Sequence, residues 1–180
     1  MGAGVFLLTG CGASVASTDT PDPGQSTAPA STKVNVDDLG SDLRADPPGE
    51  VNPPGEKDGL PPVVRSIKTD QKVVFLTIDD GASADPKVMD IIRKTGIPVT
   101  PFLTQSEISG SKDYFKQISS MTGQTVQDHT ISHPQMPGLS ASGQKKEICQ
   151  PADNYTDWFG AKPWMFRPPY GEFNDATRQA

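Results

Sequence analysis

Between Gly12 and Gln71 the chain runs for 60 residues without a single aromatic side chain. Nine of the 18 prolines fall in this stretch, together with ten acidic and five basic residues. The stretch offers too little apolar surface to offset the entropy lost when a backbone becomes ordered. We therefore predict a disordered, proline-rich acidic linker over residues 12–71.

The 109 residues from Lys72 to Ala180 have the opposite character, because they hold eleven of the twelve aromatic side chains. Their charge is nearly balanced, with twelve acidic and eleven basic residues. This segment can build a hydrophobic core, and its length suits one domain. The net charge of −6 argues against a nucleic-acid binder and against a polybasic membrane-surface protein. We expect one domain over residues 72–180, no nucleic-acid partner and a monomeric protein.

A short apolar run, Val5–Leu8, precedes Thr9, Gly10 and Cys11. An apolar stretch that ends in small residues before a cysteine resembles the end of a bacterial lipoprotein signal peptide, although the basic n-region is missing. We predict that residues 1–11 are a signal-peptide remnant and that Cys11 is lipidated. The protein would then be extracytoplasmic, lipid-anchored to the cell membrane or associated with the cell wall. The alternative is an apolar N-terminus with an ordinary cysteine.

The domain segment shows strands and helices in alternation. Val73–Ile78 is a run of β-branched and aromatic residues, typical of a strand buried on both faces of a parallel sheet. Asp85 and Pro86 supply an N-cap and a first-turn proline for a helix that ends at Gly96. Pro98–Thr104 is the next predicted strand. This order predicts a right-handed βαβ unit.

The alternation continues toward the C-terminus. We predict helices over Lys112–Met121 and Ser142–Phe159, the second with a kink or break at Pro151, and strands over Gly123–Gln127 and Trp164–Arg167. Four β/α units indicate an α/β barrel or an open parallel sheet. In such folds the functional groups gather at the C-terminal ends of the strands.

Charged and metal-binding side chains follow the first and third predicted strands. Asp79 and Asp80 are adjacent, and two carboxylates at the end of a buried strand are costly unless a cation or hydrogen bonds compensate. His129 and His133 are the only histidines in the chain. If the strands are parallel neighbours, one carboxylate and two imidazoles converge on a site that suits a divalent metal such as zinc. The aspartate that does not bind the metal would take a proton from the bound water.

The fourth predicted strand ends in an arginine and a rigid turn. Arg167 lies where it can pair with the carboxylate that acts as base and fix its orientation. The turn from Pro168 to Gly171 can aim a backbone N–H at a developing oxyanion. A proline-rich turn by itself is more often structural, and it is the position of this one that favours a role in the site.

Three segments together resemble motifs of a known family: Thr77–Gly81, His129–Pro134 and Arg167–Gly171. They resemble, in order, motifs of the polysaccharide deacetylase family of carbohydrate esterases, also called the NodB-like domain. The resemblance covers residues 72–180. It implies a distorted (β/α) barrel and the metal-assisted removal of N-acetyl, sometimes O-acetyl, groups from polysaccharides.

The resemblance also implies a role for each site residue. The roles are a general base (Asp79), three metal ligands (Asp80, His129, His133), an arginine that pairs with the base (Arg167) and a backbone N–H that stabilises the oxyanion (Tyr170). The expected cofactor is a divalent metal ion, zinc before other transition metals. The expected partner is an acetylated polysaccharide, and the surface tether favours peptidoglycan over chitin or acetyl-xylan. Any membrane contact would be through the lipid anchor only.

The chain departs from the family pattern at several points. Ile78 stands where the family usually has phenylalanine, and Gln127 and Asp128 replace a Gly-Asn pair. No histidine follows His133, so the family's acid histidine is missing and we expect a chain truncated at the C-terminus, with an incomplete barrel and little or no turnover. The alternatives to a peptidoglycan or chitin deacetylase are a catalytically silent glycan-binding lipoprotein and an acetyl-xylan O-deacetylase.

Cys149 is the only cysteine besides Cys11. An unpaired thiol is unusual outside the cell. Cys149 either pairs with a cysteine in downstream sequence or is a buried free thiol on its helix, and we favour the second interpretation.

Overall fold

A computed structural model describes residues 59–67 and 72–180 of the chain, and the backbone of Phe6–Leu7. The strands are β1 (Phe6–Leu7), β2 (Leu76–Asp80), β3 (Val99–Leu103), β4 (Gln127–Asp128) and β5 (Met165–Phe166). The helices are α1 (Pro86–Thr95), α2 (Lys112–Thr122), α3 (Ala141–Phe159) and α4 (Asp175–Gln179), with 3₁₀ turns at Met136–Gly138 and Pro169–Gly171. The remainder of the predicted signal remnant and most of the predicted linker lie outside the described residues.

The five strands form one sheet in the order β1-β5-β4-β3-β2. Strands β2 to β5 are parallel and each lies beside its neighbour in the chain, whereas β1 runs antiparallel to β5. The register places Asp80 opposite Leu103, Leu103 opposite Asp128, and Asp128 opposite Phe166. The carboxyl ends of the four parallel strands therefore meet along one edge of the sheet.

The three crossover helices pack against a single core. That core contains Met89 and Ile92 from α1, Phe115 and Ile118 from α2, and Tyr155 from α3. Helix α1 also contacts α2, and α2 contacts α3. A doubly wound sheet distributes its helices over both faces, whereas a (β/α) barrel keeps them on the outer one. Strands β2 to β5 lie in sequential order, and their three crossover helices share one core. This arrangement is that of part of a (β/α) barrel.

Helix α1 has the boundaries that its sequence predicts. The Asp85 carboxylate accepts a hydrogen bond from the Lys87 N–H at 2.9 Å, and Pro86 occupies the first turn. Gly96 ends the helix in the left-handed conformation, with φ of 65°. The prediction for α2 is also confirmed to within one residue.

Strand β2 differs from its prediction in both position and burial. It comprises Leu76–Asp80, and none of its five residues is fully buried. Val74 and Phe75 precede the strand and are exposed. The expectation of burial on both faces was wrong because, among the described residues, β2 pairs only with β3 and lies at the edge of the sheet.

Two further elements differ from their predictions. Strand β4 comprises only Gln127–Asp128, because Gly123 ends α2 in the left-handed conformation and the chain pairs with β3 only from Gln127. Helix α3 runs unbroken through Pro151, a position at which we had expected a kink or a break. Pro151 is buried, and the packing of α3 holds the helix together despite one missing backbone donor.

Residues 59–67 pack against the domain although their composition places them in the linker. Val63 contacts a second core cluster formed by Met136, Ile148 and Phe166. The Pro61 carbonyl accepts a hydrogen bond from the Arg178 guanidinium at 3.3 Å. Ordered packing therefore starts upstream of Lys72.

Cys149 is buried and disulfide-bonded, so the expectation of a free thiol was wrong. Burial alone made a free thiol plausible, since unpaired cysteines are among the most buried residues. Cys11 is the only other cysteine of the 180 residues, and it lies outside the described part of the chain.

Candidate functional site

Three predicted metal ligands converge at the carboxyl edge of the sheet. Asp80 ends β2, while His129 and His133 lie in the loop that follows β4. The Asp80 Oδ1 atom is 3.5 Å from Nε2 of His129 and 3.4 Å from Nε2 of His133. One ligand atom from each residue lies within 4.8 Å of the other two. The structure thus brings the trio together as the parallel-strand rule predicts.

His129 is oriented by a backbone carbonyl. Its Nδ1 lies 2.6 Å from the Arg167 carbonyl oxygen. When Nδ1–H donates to that oxygen, Nε2 presents its lone pair toward Asp80 and His133. The His129 side chain is 4% exposed, and burial is the main cause that lowers the pKa of His129 below its usual value. A neutral imidazole with a fixed tautomer is the form that binds a metal.

The trio fits a divalent transition metal. Two imidazole nitrogens and one carboxylate oxygen are the donor set of many hydrolytic zinc sites, which keep further positions for water and substrate. The Asp80 side chain is 45% exposed, so the group opens to solvent. Thr104 links Asp80 to His129. Its N–H donates to the Asp80 carbonyl at 2.9 Å, and its hydroxyl lies 3.3 Å from Asp80 Oδ1 and 3.1 Å from the His129 carbonyl oxygen.

Backbone strain is concentrated around these side chains. Four non-glycine residues of the described chain have positive φ: Asp80, Thr130, His133 and Tyr170. All four are predicted site residues or lie between the two histidines. Left-handed backbone at such residues is unfavourable, and it persists where the surrounding contacts hold it. Such strain is frequent at functional sites, and here it coincides with the predicted site residues.

Asp79 pairs with Arg167 and is not one of the three candidate metal ligands whose ligand atoms meet. The Arg167 Nη1 donates to Asp79 Oδ1 and also to the Thr77 hydroxyl, the latter at 2.9 Å. The guanidinium lies over the buried Phe102 ring, with Cζ 4.0 Å from the ring centroid. The Arg167 side chain is 12% exposed. A cation fixed by a hydroxyl and an aromatic ring therefore orients the Asp79 carboxylate.

Tyr170 lies beside His133 at the same edge. The two ring centroids are 4.8 Å apart, and the rings meet at 70°. The tyrosine side chain is 66% exposed, and its φ of 58° turns the backbone between Pro169 and Gly171. The structure thus places every described residue of the predicted site in one region.

The departures at positions 127 and 128 have structural consequences. The Gln127 Oε1 accepts hydrogen bonds from the backbone N–H groups of Trp164 and Met165, at 3.0 and 2.8 Å. This side chain ties β4 to the beginning of β5. Asp128 is fully buried: its Oδ1 accepts from the Thr130 N–H at 2.8 Å, its Oδ2 has no partner in the described chain, and burial raises the pKa of the Asp128 carboxyl.

Sequence reasoning missed several residues that support the site. Phe102 of β3 contacts the Arg167 guanidinium. Thr104, the residue after β3, contacts the Asp80 carboxylate. Glu147 contacts the loop between the two histidines from α3. Glu147 is one of several charged residues on its helix, and Phe102 reads as an ordinary core residue, so no local signal distinguishes either of them.

Comparison with known proteins agrees with this geometry. The family model described as polysaccharide deacetylase matches residues 66–180. An uncharacterized protein of Streptomyces coelicolor is 39% identical over 121 residues, which are 67% of this chain and 48% of that protein. A peptidoglycan-N-acetylmuramic acid deacetylase of Bacillus subtilis is 30% identical over 119 residues, 65% of this chain and 25% of the relative. The chain spans about half or less of the length of these relatives.

Solved structures with the same fold include a carbohydrate esterase and a pseudoenzyme. A family 4 carbohydrate esterase from Streptomyces lividans, in complex with acetate, has a TM-score of 0.53 at 28% identity, covering 59% of this chain and 55% of that one. A family 4 pseudoenzyme from Bacillus anthracis has a TM-score of 0.54 at 26% identity, covering 61% and 40%. The barrel-type fold predicted from the motifs is confirmed by these likenesses.

Proposed function

Because the chain belongs to the polysaccharide deacetylase family, we propose that it is a metal-dependent hydrolase that removes acetyl groups from N-acetylated polysaccharide of the peptidoglycan or chitin type. The observation that carries this proposal is the approach of Asp80, His129 and His133 to within 4.8 Å of one another. The separate Asp79–Arg167 pair lies at the same edge of the sheet. Together they provide a metal site and a base.

A divalent metal ion held by the trio would supply Lewis acidity, polarising the acetyl carbonyl and lowering the pKa of water. Asp79 would accept a proton from the water that attacks the carbonyl carbon. Arg167 keeps Asp79 in the orientation for this transfer. The Tyr170 N–H would donate to the oxyanion that forms on the former carbonyl oxygen. The proton held by Asp79 would then pass to the amide nitrogen as the tetrahedral carbon collapses, so that the C–N bond breaks and acetate and the sugar amine are released.

The choice of glycan rests on relatives. The Bacillus subtilis protein is named for its action on peptidoglycan N-acetylmuramic acid, and another relative is named as a chitin deacetylase of Cryptococcus neoformans. An N-acetyl sugar is common to both substrates. We infer an N-acetylated glycan as the partner of this chain, with peptidoglycan favoured over chitin.

The likeness to a pseudoenzyme supports a second candidate function. A chain of this fold can lack activity, as the Bacillus anthracis protein does by its description. The corresponding proposal is a catalytically silent glycan-binding protein that keeps the metal. It differs from the first in one measurable respect, since it binds N-acetylglucosamine oligomers without releasing acetate.

Acetate release should separate the two proposals. We expect the full-length gene product to release acetate from N-acetylglucosamine oligomers, to lose that activity after treatment with a chelator, and to regain it when zinc is added. The physical reason is that the trio has the donor set for zinc and the base lies beside it. Oligomer binding with no acetate release would favour the silent protein. Acetate release that survives complete chelation would contradict metal dependence.

We also propose an extracytoplasmic location. Disulfides such as that of Cys149 persist mainly in oxidising compartments. No described helix has both the length and the apolarity to cross a membrane. We propose a lipid at Cys11 as the anchor. The Cys11 sulfur cannot carry a thioether-linked lipid and a disulfide at once. Cys11 and Cys149 are the only cysteines of the 180 residues, so lipidation of Cys11 requires that Cys149 be bonded to a cysteine outside these residues.

Replacement of Cys11 tests the anchor directly. Cys11→Ser should move the full-length protein from the membrane fraction to the soluble extracytoplasmic fraction, because the serine hydroxyl does not accept the lipid thioether. Immunoblots of fractionated cells measure this, with Cys149→Ser as the matched cysteine control. If Cys11→Ser stays in the membrane fraction, the lipid anchor is wrong.

A further inference from the structure

The loop between the two histidines is bound by a carboxylate from another element. Glu147 of α3 accepts hydrogen bonds at Oε2 from the Ile131 and Ser132 N–H groups, at 2.9 and 3.0 Å. Its Oε1 accepts a third from the Ser132 hydroxyl at 3.1 Å. Hydrogen bonds from backbone N–H groups to an ionised carboxylate are stronger than those to a neutral acceptor. A single side chain thus binds both central residues of the loop.

This loop needs external support because its backbone is strained. Thr130 and His133 have φ of 77° and 57°, in a region that residues with a Cβ rarely adopt. The outer N–H groups of the loop are satisfied locally: that of Thr130 by Asp128 Oδ1 and that of His133 by the Thr130 hydroxyl. The two central N–H groups bind Glu147 instead. Helix α3 therefore supplies the support that the loop lacks within itself.

The carbonyl groups of this part of the chain are bound from the segment after β3, where the Thr104 hydroxyl lies 3.1 Å from the His129 carbonyl oxygen. The Thr130 and Ile131 carbonyls accept from the Gln105 and Ser106 N–H groups at 3.0 and 2.9 Å. No side-chain substitution removes those donors, except for proline. A mutation of Glu147 can therefore remove a contact with the loop while the metal ligands, the residues next to them and the strands stay unchanged.

We propose that Glu147 is a positioning residue for the metal site, which sets the separation of His129 and His133 by holding the Ile131 and Ser132 amides. Its three hydrogen bonds go to the Ile131 and Ser132 N–H groups and the Ser132 hydroxyl, and none goes to a ligand atom. The inference rests on the metal site of the proposed function. Its consequence is that metal affinity depends on a carboxylate of helix α3, which carries none of the three ligands.

Zinc affinity of the full-length protein tests this inference. We expect Glu147→Ala to weaken zinc binding by about 10-fold or more, the effect of losing a group that orients metal ligands. Glu147→Gln keeps one oxygen acceptor and most of the side-chain volume, and its affinity should lie between those of the wild type and Glu147→Ala. Asp153→Asn changes an exposed carboxylate on the same helix and should bind zinc like the wild type. Competition with a chromophoric chelator measures each dissociation constant.

Two further measurements separate positioning from general stability. The absorption spectrum of the cobalt-substituted protein should change in Glu147→Ala and not in Asp153→Asn, because it reports the geometry of the ligands. If Glu147→Ala fails to fold, Glu147→Gln and Ser132→Ala provide the same comparison, since each weakens the contact in part. Zinc affinity and cobalt spectra equal to those of the wild type would overturn the inference. Zinc binding that is insensitive to His133→Ala would instead overturn the metal site of the proposed function.

Discussion

Asp79→Asn should lower acetate release from N-acetylglucosamine oligomers by about 10²- to 10⁴-fold, the contribution expected of a general base. The amide cannot take the proton of the attacking water, but its oxygen can still accept from Arg167, so the local structure should persist. Zinc affinity should be unchanged, because Asp79 is not one of the three residues whose ligand atoms meet. Initial rates at saturating zinc, together with the zinc dissociation constant, measure the two effects separately.

The matched control is Asp157→Asn, which neutralises an exposed carboxylate at the C-terminal end of α3, the end that leads to the start of β5. It should retain wild-type activity. If Asp79→Asn keeps its activity, Asp79 is not the base. If it loses zinc as well as activity, Asp79 is a metal ligand, and the division of roles between Asp79 and Asp80 is wrong.

The composition of the site could be predicted because it depends on topology and chemistry that short motifs reveal. Consecutive parallel strands bring their carboxyl ends to one edge, and the register of Asp80, Leu103, Asp128 and Phe166 does so here. Few residue types bind a divalent transition metal, and this chain has only two histidines. Once the strands were located, two imidazoles and one of two adjacent carboxylates followed without knowledge of side-chain positions. The choice of Asp80 rather than Asp79 as the ligand came from the family resemblance.

The supporting contacts could not be predicted, because they are made across elements. Phe102 lies under Arg167 only because β3 and β5 flank the same strand, and their separation in the sequence gives no sign of it. Glu147 reaches Ile131 because of the direction in which α3 leaves Ser140. The missed exposure of β2 has the same origin, since burial depends on which strand lies beside it. Local sequence patterns predict the helices, the strands and the residues at the strand ends. The packing of distant elements determines which side chains contact those residues.

Gly81→Ala should destabilise the domain by about 2 to 5 kcal/mol, combining the costs of overpacking and of a left-handed alanine. Gly81 follows the two site aspartates with φ of 85°. A Cβ there would lie 2.5 Å from Ile108 Cγ2 and 3.0 Å from Leu103 Cδ2, both of which belong to fully buried side chains. The core cannot give way without moving β3. Denaturant unfolding of the wild type and the variant measures the loss.

Gly96→Ala separates the two causes of that loss. Gly96 also has positive φ, at 65°, but a Cβ built on it meets nothing within 4 Å. Its replacement should cost only the backbone term of about 1 to 2 kcal/mol. The excess loss in Gly81→Ala then measures the close approach of the β2–α1 turn to the core, the contact that fixes where Asp79 and Asp80 leave the sheet. Equal losses in the two variants would show that Gly81 is required for its backbone conformation alone.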